Sequence, residues 1–421
     1  MQKLKEPKIS KICVIISFII LVASVSVLFH KGTKGENFDT KNLVQNTIFR
    51  LVAVTSEYFS DKNPLSSIKT AEINYQKHSR LNKDTIAQNR ERERERVKNV
   101  IVIIGESLSR HYMSLYGYEK PTTPFLKNLE KSGNLISFSD IISPYTSTNP
   151  VLEYALNFNN YESKDKRHYS DSLNMLDMFN LAGYKTFWIS NQEFNGRYTM
   201  ATTSISARAD EIKFTGSLGT RNSFRYDSEI LQFLSNKTDG FYIIHLMGSH
   251  SLYRERYPDE YAKFKSNELN EPLNKKQKDR LAKYLNSVFY NDFIINEIYK
   301  VFKDDDSLIL YFSDHGESLY EFKGLSGHGF VTRFTCEIPF MFIASDEFKT
   351  KHGELWQKIQ EAKDKPFMTD DLPHTLADII GVKPLEYDEN RSLISPNFNT
   401  LRKRIMQGVD YETIKNQKAY E

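Results

Sequence analysis

An aspartate and a histidine, Asp314 and His315, follow a short apolar run at Leu308–Phe312. Apolar runs of this length, rich in β-forming residues and ended by a polar break, are typical of buried strands. In open α/β sheets, catalytic groups collect beyond the carboxyl ends of the strands. Zn²⁺ accepts aspartate oxygen and histidine nitrogen together, so this pair could serve one metal ion. An isolated pair is more simply a surface turn, so the interpretation depends on further ligands elsewhere.

Three other segments carry polar side chains at or just after a predicted strand end. Glu106 follows the apolar run Val100–Ile104. His250 follows the run Phe241–Leu246, and His328 lies on a later loop. Singly, each is more simply a satisfied loop residue, but together they favour a metal site, since Glu, Asp and His are good Zn²⁺ ligands. The side chains expected to converge on one sheet edge are Glu106, His250, Asp314, His315 and His328.

The segments around these clusters alternate between strand and helix patterns. The predicted strands are Val100–Ile104, Lys185–Ser190, Phe241–Leu246, Leu308–Phe312 and Ile338–Ala344, and the predicted helices are Ser172–Ala182, Lys275–Phe302 and Leu372–Ile380. Such alternation predicts an α/β fold with a mainly parallel sheet flanked by helices. We expect a catalytic domain over residues 99–396, followed by a polar, loosely held C-terminal tail at residues 397–421.

The N-terminal region contains one long uncharged apolar run, Ile12–Phe29, close to the minimum length for a membrane span. Lysines precede it, which by the positive-inside rule places the N-terminus in the cytoplasm. We therefore expect a cytoplasmic tip and a single N-terminal transmembrane helix over residues 1–30, and a juxtamembrane connector over residues 31–98. A cleaved signal peptide is the main alternative, and a buried core helix of a cytosolic protein is the third.

Charge and cysteine content exclude some classes of protein. The 57 basic and 54 acidic residues give a net charge of +3, too balanced to indicate a nucleic-acid-binding protein on charge alone. The two cysteines are Cys13 and Cys336, and Cys13 lies in the apolar N-terminal run. The remainder of the chain therefore cannot form an internal disulfide, and an exported domain would have to be stable without one.

Four motifs in a fixed order carry a resemblance to a known family. They are GESLSRHYMSLYGYEKPTTPFL at Gly105–Leu126, PYTSTNP at Pro144–Pro150, HLMGSHSLYRERYP at His245–Pro258, and SDHGESL with SGHG beyond it. From about Asn99 to Val382 the chain resembles the phosphoethanolamine transferases of the alkaline phosphatase/sulfatase superfamily, which modify lipopolysaccharide and other surface molecules of Gram-negative bacteria. The stretch Trp188–Gln192 looks most like the branch that acts on the lipopolysaccharide core.

The resemblance implies a zinc site and a threonine nucleophile. The positions that match the metal ligands are Glu106, Thr148, Asp314 and His315. Thr148 also matches the nucleophile, with Thr146 and Ser147 as local competitors for that role and Ser107 as a more remote one. One zinc ion is expected, and a second can be accommodated by the same motifs.

The resemblance also implies residues that contact the substrate. His250 and His328 match two histidines that help to bind the phosphoryl group or a second zinc ion. Asn191 and Gln192 are candidate substrate contacts, with ordinary loop hydrogen bonding as an equal alternative.

The implied activity is a two-step transfer. Thr148 attacks the phosphorus of phosphatidylethanolamine, and the phosphoethanolamine then passes to lipid A or a lipopolysaccharide core sugar. The implied setting is a monomer in the bacterial inner membrane, with the catalytic domain in the periplasm. The alternatives are a phosphoglycerol transferase, a phosphodiesterase or an inactive relative. A sulfatase is disfavoured because Thr148–Leu152 lacks the required Cys and Arg.

The chain departs from the family pattern in two ways. Typical members carry several N-terminal membrane helices, whereas only one run qualifies here, which leaves open how the lipid donor is acquired. Many members also have disulfides around the nucleophile loop. Here Pro144 stands before Tyr145, so the loop must be held by packing.

Overall fold

The computed structural model describes residues 96–162, 169–192, 200–216 and 225–420, together with residues 73, 76 and 77. The expected anchor at Ile12–Phe29 and almost all of the expected connector at residues 31–98 lie outside the described residues. Within the described residues, no helix is both long enough and apolar enough to cross a membrane.

A seven-stranded sheet forms the centre of the described domain. The strands of the domain are β1 (Asn99–Gly105), β2 (Leu135–Ser137), β3 (Ile141–Ile142), β4 (Thr186–Ser190), β5 (Glu211–Phe214), β6 (Gly240–His245), β7 (Ser307–Ser313), β8 (Ser318–Leu319), β9 (Ser326–Gly327), β10 (Phe340–Ala344), β11 (Phe367–Met368), β12 (Ile405–Met406) and β13 (Val409–Asp410). The central sheet has the order β2–β10–β7–β1–β6–β4–β5. Strands β7, β1, β6, β4 and β5 are parallel, and β10 is antiparallel to both of its neighbours. The prediction of a mainly parallel sheet is confirmed.

Helices cover both faces of this sheet. The helices of the described domain are α1 (Pro124–Lys131), α2 (Thr148–Ala155), α3 (Met175–Leu181), α4 (Met200–Ser206), α5 (Lys275–Phe302), α6 (Arg333–Cys336), α7 (Asp346–Lys351), α8 (Gly353–Glu361) and α9 (Leu372–Ile379). Val100 and Val102 of β1 belong to the apolar cluster that includes α2, α3 and α9, whereas Ile101 and Ile103 belong to the cluster that includes α5. Burial on both faces explains why residues 100–104 of β1 are all apolar rather than alternating.

Side-chain caps set where the main helices begin. Helix α5 has the predicted bounds, and a capping box between Asn274 and Gln277 fixes its first turn. Helix α3 is shorter than the predicted Ser172–Ala182 because Asn174 and Asp177 form another capping box. Backbone donors of the first turn need such partners, so the cap residue marks the helix start.

The C-terminal segment packs against the domain. Met406 and Tyr411 are buried in a cluster with Ile142 and Met368. The guanidinium of Arg402 donates to both Asp370 and Asp371. The expectation of a loosely held tail after residue 397 is therefore wrong, because its polar side chains find partners on the domain surface.

Candidate active site

The parallel register of β1 and β7 brings the first two site residues together. Gly105 of β1 is paired with Ser313 of β7, so Glu106 and Asp314 leave adjacent strand ends. The backbone N–H of Asp314 donates to the Gly105 carbonyl at 3.0 Å, and the N–H of Ser107 donates to Asp314 Oδ1 at 3.0 Å. The strand-end argument from sequence therefore holds for this pair.

Three side chains form a buried group suited to a metal ion. One ligand atom from each of Glu106, Asp314 and His315 lies within 4.8 Å of the other two. His315 Nε2 is 3.4 Å from Asp314 Oδ2 and 3.5 Å from Glu106 Oε1. All three residues are buried.

Thr148 joins this group from the start of helix α2. It is the first residue of α2, and its hydroxyl donates to Glu106 Oε2 at 2.9 Å. Thr146 is buried and its hydroxyl donates instead to Gln407. The side chain of Ser147 makes no capping hydrogen bond to α2. Of the three neighbouring hydroxyls, the one on Thr148 is placed against a predicted metal ligand.

Two ligand atoms of this group lack hydrogen-bond partners and are suited to bind a cation. Asp314 Oδ2 and His315 Nε2 are buried and have no hydrogen-bond partner within the described residues. His315 Nδ1 donates to the Gly316 carbonyl at 2.9 Å, which leaves Nε2 as the ring nitrogen with a free lone pair. Buried polar atoms without partners are costly. A carboxylate-rich set with one imidazole suits Zn²⁺.

Burial sets the protonation of the metal-free site. Burial raises the pKa of Glu106. Burial, assisted by the nearby charge of Glu106, raises the pKa of Asp314 to about 7. Burial lowers the pKa of the His315 imidazole. The metal-free site therefore tends to hold protons on its carboxylates and to keep the imidazole neutral, and a bound cation would displace those protons.

A second group of polar side chains surrounds His328. His315 and His328 were predicted site residues, whereas Glu317 and Tyr253 were not. His328 Nδ1 donates to Glu317 Oε2 at 2.7 Å, and Tyr253 donates to the other oxygen of Glu317. The ring of His328 lies 4.4 Å from that of His315 between centroids. Burial acts to lower the pKa of His328, but the hydrogen bond and charge of Glu317 raise it overall. Glu317 lies within the SDHGESL motif, and its position there could have identified it as a site residue from the sequence.

The two groups share one ligand. His315, Glu317 and His328 form a second set with ligand atoms within 4.8 Å of one another. His315 has a single free ring nitrogen because Nδ1 is bonded to the Gly316 carbonyl. The two sets therefore cannot both use His315 Nε2 at the same time.

His250 lies on a loop that packs directly against Glu106. Its side chain is half-buried, and it belongs to neither metal-suited group found in the described part of the chain. Burial lowers its pKa, and the positive charges of Arg256 and His328 lower it further. Ser249 N–H donates to the Glu106 carbonyl at 2.9 Å, and Gly248 has φ +52°. A Cβ atom at residue 248 would lie 2.8 Å from backbone atoms of Glu106.

The two candidate substrate contacts support this loop. Asn191 is buried and donates to Asp227 Oδ1 at 2.7 Å. Asp227 in turn accepts from the N–H groups of Met247 and Gly248, each at 2.8 Å. Gln192 Nε2 donates to the Leu246 carbonyl at 2.8 Å. Asn191 and Gln192 therefore make the ordinary loop hydrogen bonds that were the alternative to substrate binding. Substrate contact by either residue stays a prediction. The role of Asp227 was not predicted.

A family model and known proteins match this domain. The sulfatase family model matches residues 98–382. The phosphoethanolamine transferase EptC of Escherichia coli O18:K1:H7 is 32% identical over 340 residues, covering 75% of this chain and 58% of EptC. The chain thus spans about three-fifths of the length of that relative.

Solved structures agree with the sequence comparison. The C-terminal periplasmic domain of EptC from Escherichia coli, solved in complex with Zn, is 30% identical with a TM-score of 0.71, covering 77% of this chain and 95% of that domain. The soluble domain of lipooligosaccharide phosphoethanolamine transferase A from Neisseria meningitidis is 22% identical with a TM-score of 0.60, covering 72% and 93%, and shares the fold. The chain therefore belongs to the sulfatase family of the alkaline phosphatase superfamily, and its described domain is similar to the periplasmic domain of phosphoethanolamine transferases.

Proposed function

We propose that this chain is a zinc-dependent phosphoethanolamine transferase with Thr148 as its nucleophile. The observation that carries the proposal is the 2.9 Å hydrogen bond from Thr148 to Glu106, beside buried and unpartnered atoms of Asp314 and His315. The similarity to EptC, whose periplasmic domain was solved with Zn, supports the choice of metal and of transferred group.

The residues that would hold zinc are Glu106, Thr148, Asp314 and His315. When bound there, zinc would lower the pKa of the threonine hydroxyl and offset negative charge on the phosphoryl oxygens. The Thr148 hydroxyl donates its proton to the Glu106 carboxylate, so the lone pairs of its oxygen are available to the metal and to the phosphorus that it attacks. Glu317 favours a positive charge on His328, which suits a partner for phosphoryl oxygens.

The proposed reaction has two displacements at one phosphorus atom. Thr148 Oγ forms a bond to the phosphorus of phosphatidylethanolamine, the bond to the glycerol oxygen breaks, and diacylglycerol leaves with a proton. An acceptor hydroxyl or phosphate then forms a bond to the same phosphorus, and Thr148 Oγ leaves and regains a proton. Each step exchanges one P–O bond for another, so no oxidant or reductant is needed.

The proposed acceptor is lipid A or a sugar of the lipopolysaccharide core. We place the enzyme as a monomer in the bacterial inner membrane, with the catalytic domain in the periplasm. A membrane anchor would hold the site near a bilayer donor and raise the effective concentration of that lipid.

Mass spectrometry of surface glycolipids tests this proposal. A strain without the gene would be complemented with the wild type, Thr148→Ala or Ser147→Ala. We expect phosphoethanolamine on lipid A or the core with the wild type and Ser147→Ala, and its loss with Thr148→Ala. Identical glycolipids in the deletion strain and the wild-type complement would contradict the proposal. Phosphoglycerol in place of phosphoethanolamine would identify a different transferase.

A further inference from the structure

The nucleophile loop of residues 143–147 is held without a disulfide, and the contacts around it identify what holds it. The C-terminal hairpin, β12 and β13, lies along the segment that leads to Thr148. We propose that this hairpin positions the nucleophile loop through a hydrogen bond between Gln407 and Thr146. The inference rests on the proposed role of Thr148 and adds a positioning residue to it.

The hairpin is fixed at its base by a partly buried ion pair. The guanidinium of Arg404, 5% exposed, donates to Asp140 Oδ1 at 2.6 Å and to Asp140 Oδ2 at 3.1 Å. Arg404 also donates to Glu412 at 3.0 Å on the returning side of the hairpin. A bidentate ion pair of this kind fixes the relative orientation of the two side chains as well as their distance. Asp140 immediately precedes β3. The ion pair therefore fixes the hairpin relative to the strand that leads into the nucleophile loop.

Apolar and polar contacts extend this attachment along β3. Met406 is buried against Ile142 and Cys336, and Tyr411 donates to Glu337 Oε1 at 2.9 Å. Ser143 N–H donates to the Cys336 carbonyl at 3.0 Å. Residues 140 to 143 are therefore held by the hairpin on one side and by the end of α6 on the other.

Gln407 at the tip of the hairpin has an unusual conformation. Its φ is +45°, and that of the following Gly408 is +84°. Two-residue hairpin turns with positive φ at both positions favour Asn or Gly, because the Cβ atom of most other residues is strained there. The glutamine side chain is long enough to reach the loop, and its Oε1 accepts from the buried Thr146 hydroxyl at 2.8 Å. Backbone strain of this kind clusters at functional sites, and here it accompanies a contact to the nucleophile loop.

Three hydrogen-bonded anchors follow one another along the loop, and Tyr145 between them stacks on Tyr154. Ser143 is held by the Cys336 carbonyl, Thr146 by Gln407, and Thr148 by Glu106. Loss of the middle hydrogen bond should loosen the stretch that sets where Thr148 begins its helix. Catalysis by displacement is sensitive to small misplacements of the attacking atom, so this anchor should affect turnover more than lipid binding.

The test uses the full chain in detergent with zinc, phosphatidylethanolamine and purified lipopolysaccharide as the acceptor, and it compares the variants Thr146→Val, Gln407→Leu and their combination. Gln417→Leu is the matched control, since Gln417 accepts from Arg333 N–H elsewhere in the same segment. We expect each single variant to lower kcat for diacylglycerol release by about tenfold with KM unchanged, and the double variant to lower it no further. Gln407→Glu, which keeps an acceptor oxygen, should retain most of kcat.

Hydrogen exchange gives a readout that does not depend on activity. Backbone exchange of residues 143–149 should rise in Thr146→Val and Gln407→Leu, and stay at the wild-type level in Gln417→Leu. Unchanged exchange in both loop variants, or unchanged kcat in an active protein, overturns the inference. A wild type that releases no diacylglycerol defeats the proposed function instead, and the exchange result then decides the anchor alone.

Discussion

The Thr148 hydroxyl lies 2.9 Å from Glu106 Oε2, although the two residues are 42 positions apart in the chain. The other oxygen of Glu106 accepts from Ser107 Oγ at 2.8 Å and lies 3.5 Å from His315 Nε2. Glu106 therefore connects the proposed nucleophile to the proposed metal ligands. Any displacement of this carboxylate should affect metal binding and turnover together.

Zinc affinity should depend on pH. Burial and the charge of Glu106 raise the pKa of Asp314 to about 7 in the metal-free protein, so below that pH a proton competes with zinc. We expect the affinity to fall by up to tenfold per pH unit for each proton displaced as pH drops below about 7. Zinc titration of the apoprotein from pH 5.5 to 8 measures this.

The variant Asp314→Asn should bind zinc more weakly and with a shallower dependence on pH. Asp292→Asn is the control, because burial also raises the pKa of Asp292 to about 7 at a position outside the site. An affinity in the wild type that is flat across this range would contradict the assignment of Asp314 as a ligand.

Glu317 should control the charge of His328. Burial opposes the charge on His328, and the hydrogen bond from its Nδ1 to Glu317 raises its pKa overall. In Glu317→Gln the carboxylate charge is lost, so the pKa of His328 should fall. If protonated His328 assists the transfer, the basic limb of the pH–kcat profile should shift to lower pH. A variant with reduced kcat but an unshifted profile would leave Glu317 with a packing role.

Gly248→Ala should disturb the site directly. A Cβ atom at residue 248 would lie 2.8 Å from the backbone N and O of Glu106, at a φ of +52°. We expect a loss of at least about tenfold in both zinc affinity and kcat, because Glu106 must move.

The control is Gly133→Ala, whose φ is +72° and whose Cβ would meet nothing within 4 Å. That variant should lose about 1 kcal/mol of stability and keep its activity. Equal activity of the two variants would refute the close approach.

Asp292 should stabilise the domain without affecting chemistry. Its carboxylate accepts from the backbone N–H groups of Phe125 and Leu126 at 2.9 and 3.0 Å, and so caps α1 from a different helix. Asp292→Ala should lower the free energy of unfolding by about 1–2 kcal/mol, with zinc content unchanged. The control Asp304→Ala, at an exposed side chain, should change it by less than about 0.5 kcal/mol. Urea unfolding measures both, and equal midpoints would contradict the capping role.

The strand ends that form the site were predictable because the pattern is local. The apolar runs around residues 100 and 308 form neighbouring parallel strands, so Glu106 and Asp314 had to emerge side by side. The bounds of α5 followed from its apolar spacing, and the structure adds the capping box at Asn274. The assignment of Thr148 as the nucleophile rested on the motif resemblance alone, because nothing in the neighbouring sequence distinguishes Thr148 from Thr146 for that role.

The remaining contacts join residues that no local pattern connects. Gln407 meets Thr146 across 261 positions, and Tyr253 meets Glu317 across 64. The tail appeared loose because its composition is polar. Charged residues such as Arg402 and Arg404 are usually solvated, and only the fold reveals that they pair with carboxylates on the domain.

The central claim is that Thr148 carries the transferred group, and mass analysis of the Thr148 peptide tests it most directly. The full chain would be loaded with zinc, incubated with phosphatidylethanolamine without acceptor, quenched and digested. The account predicts phosphoethanolamine on Thr148 in the wild type and no adduct in Thr148→Ala. Diacylglycerol release with an unmodified Thr148 peptide, or an adduct on Thr146 or Ser147 instead, would contradict it.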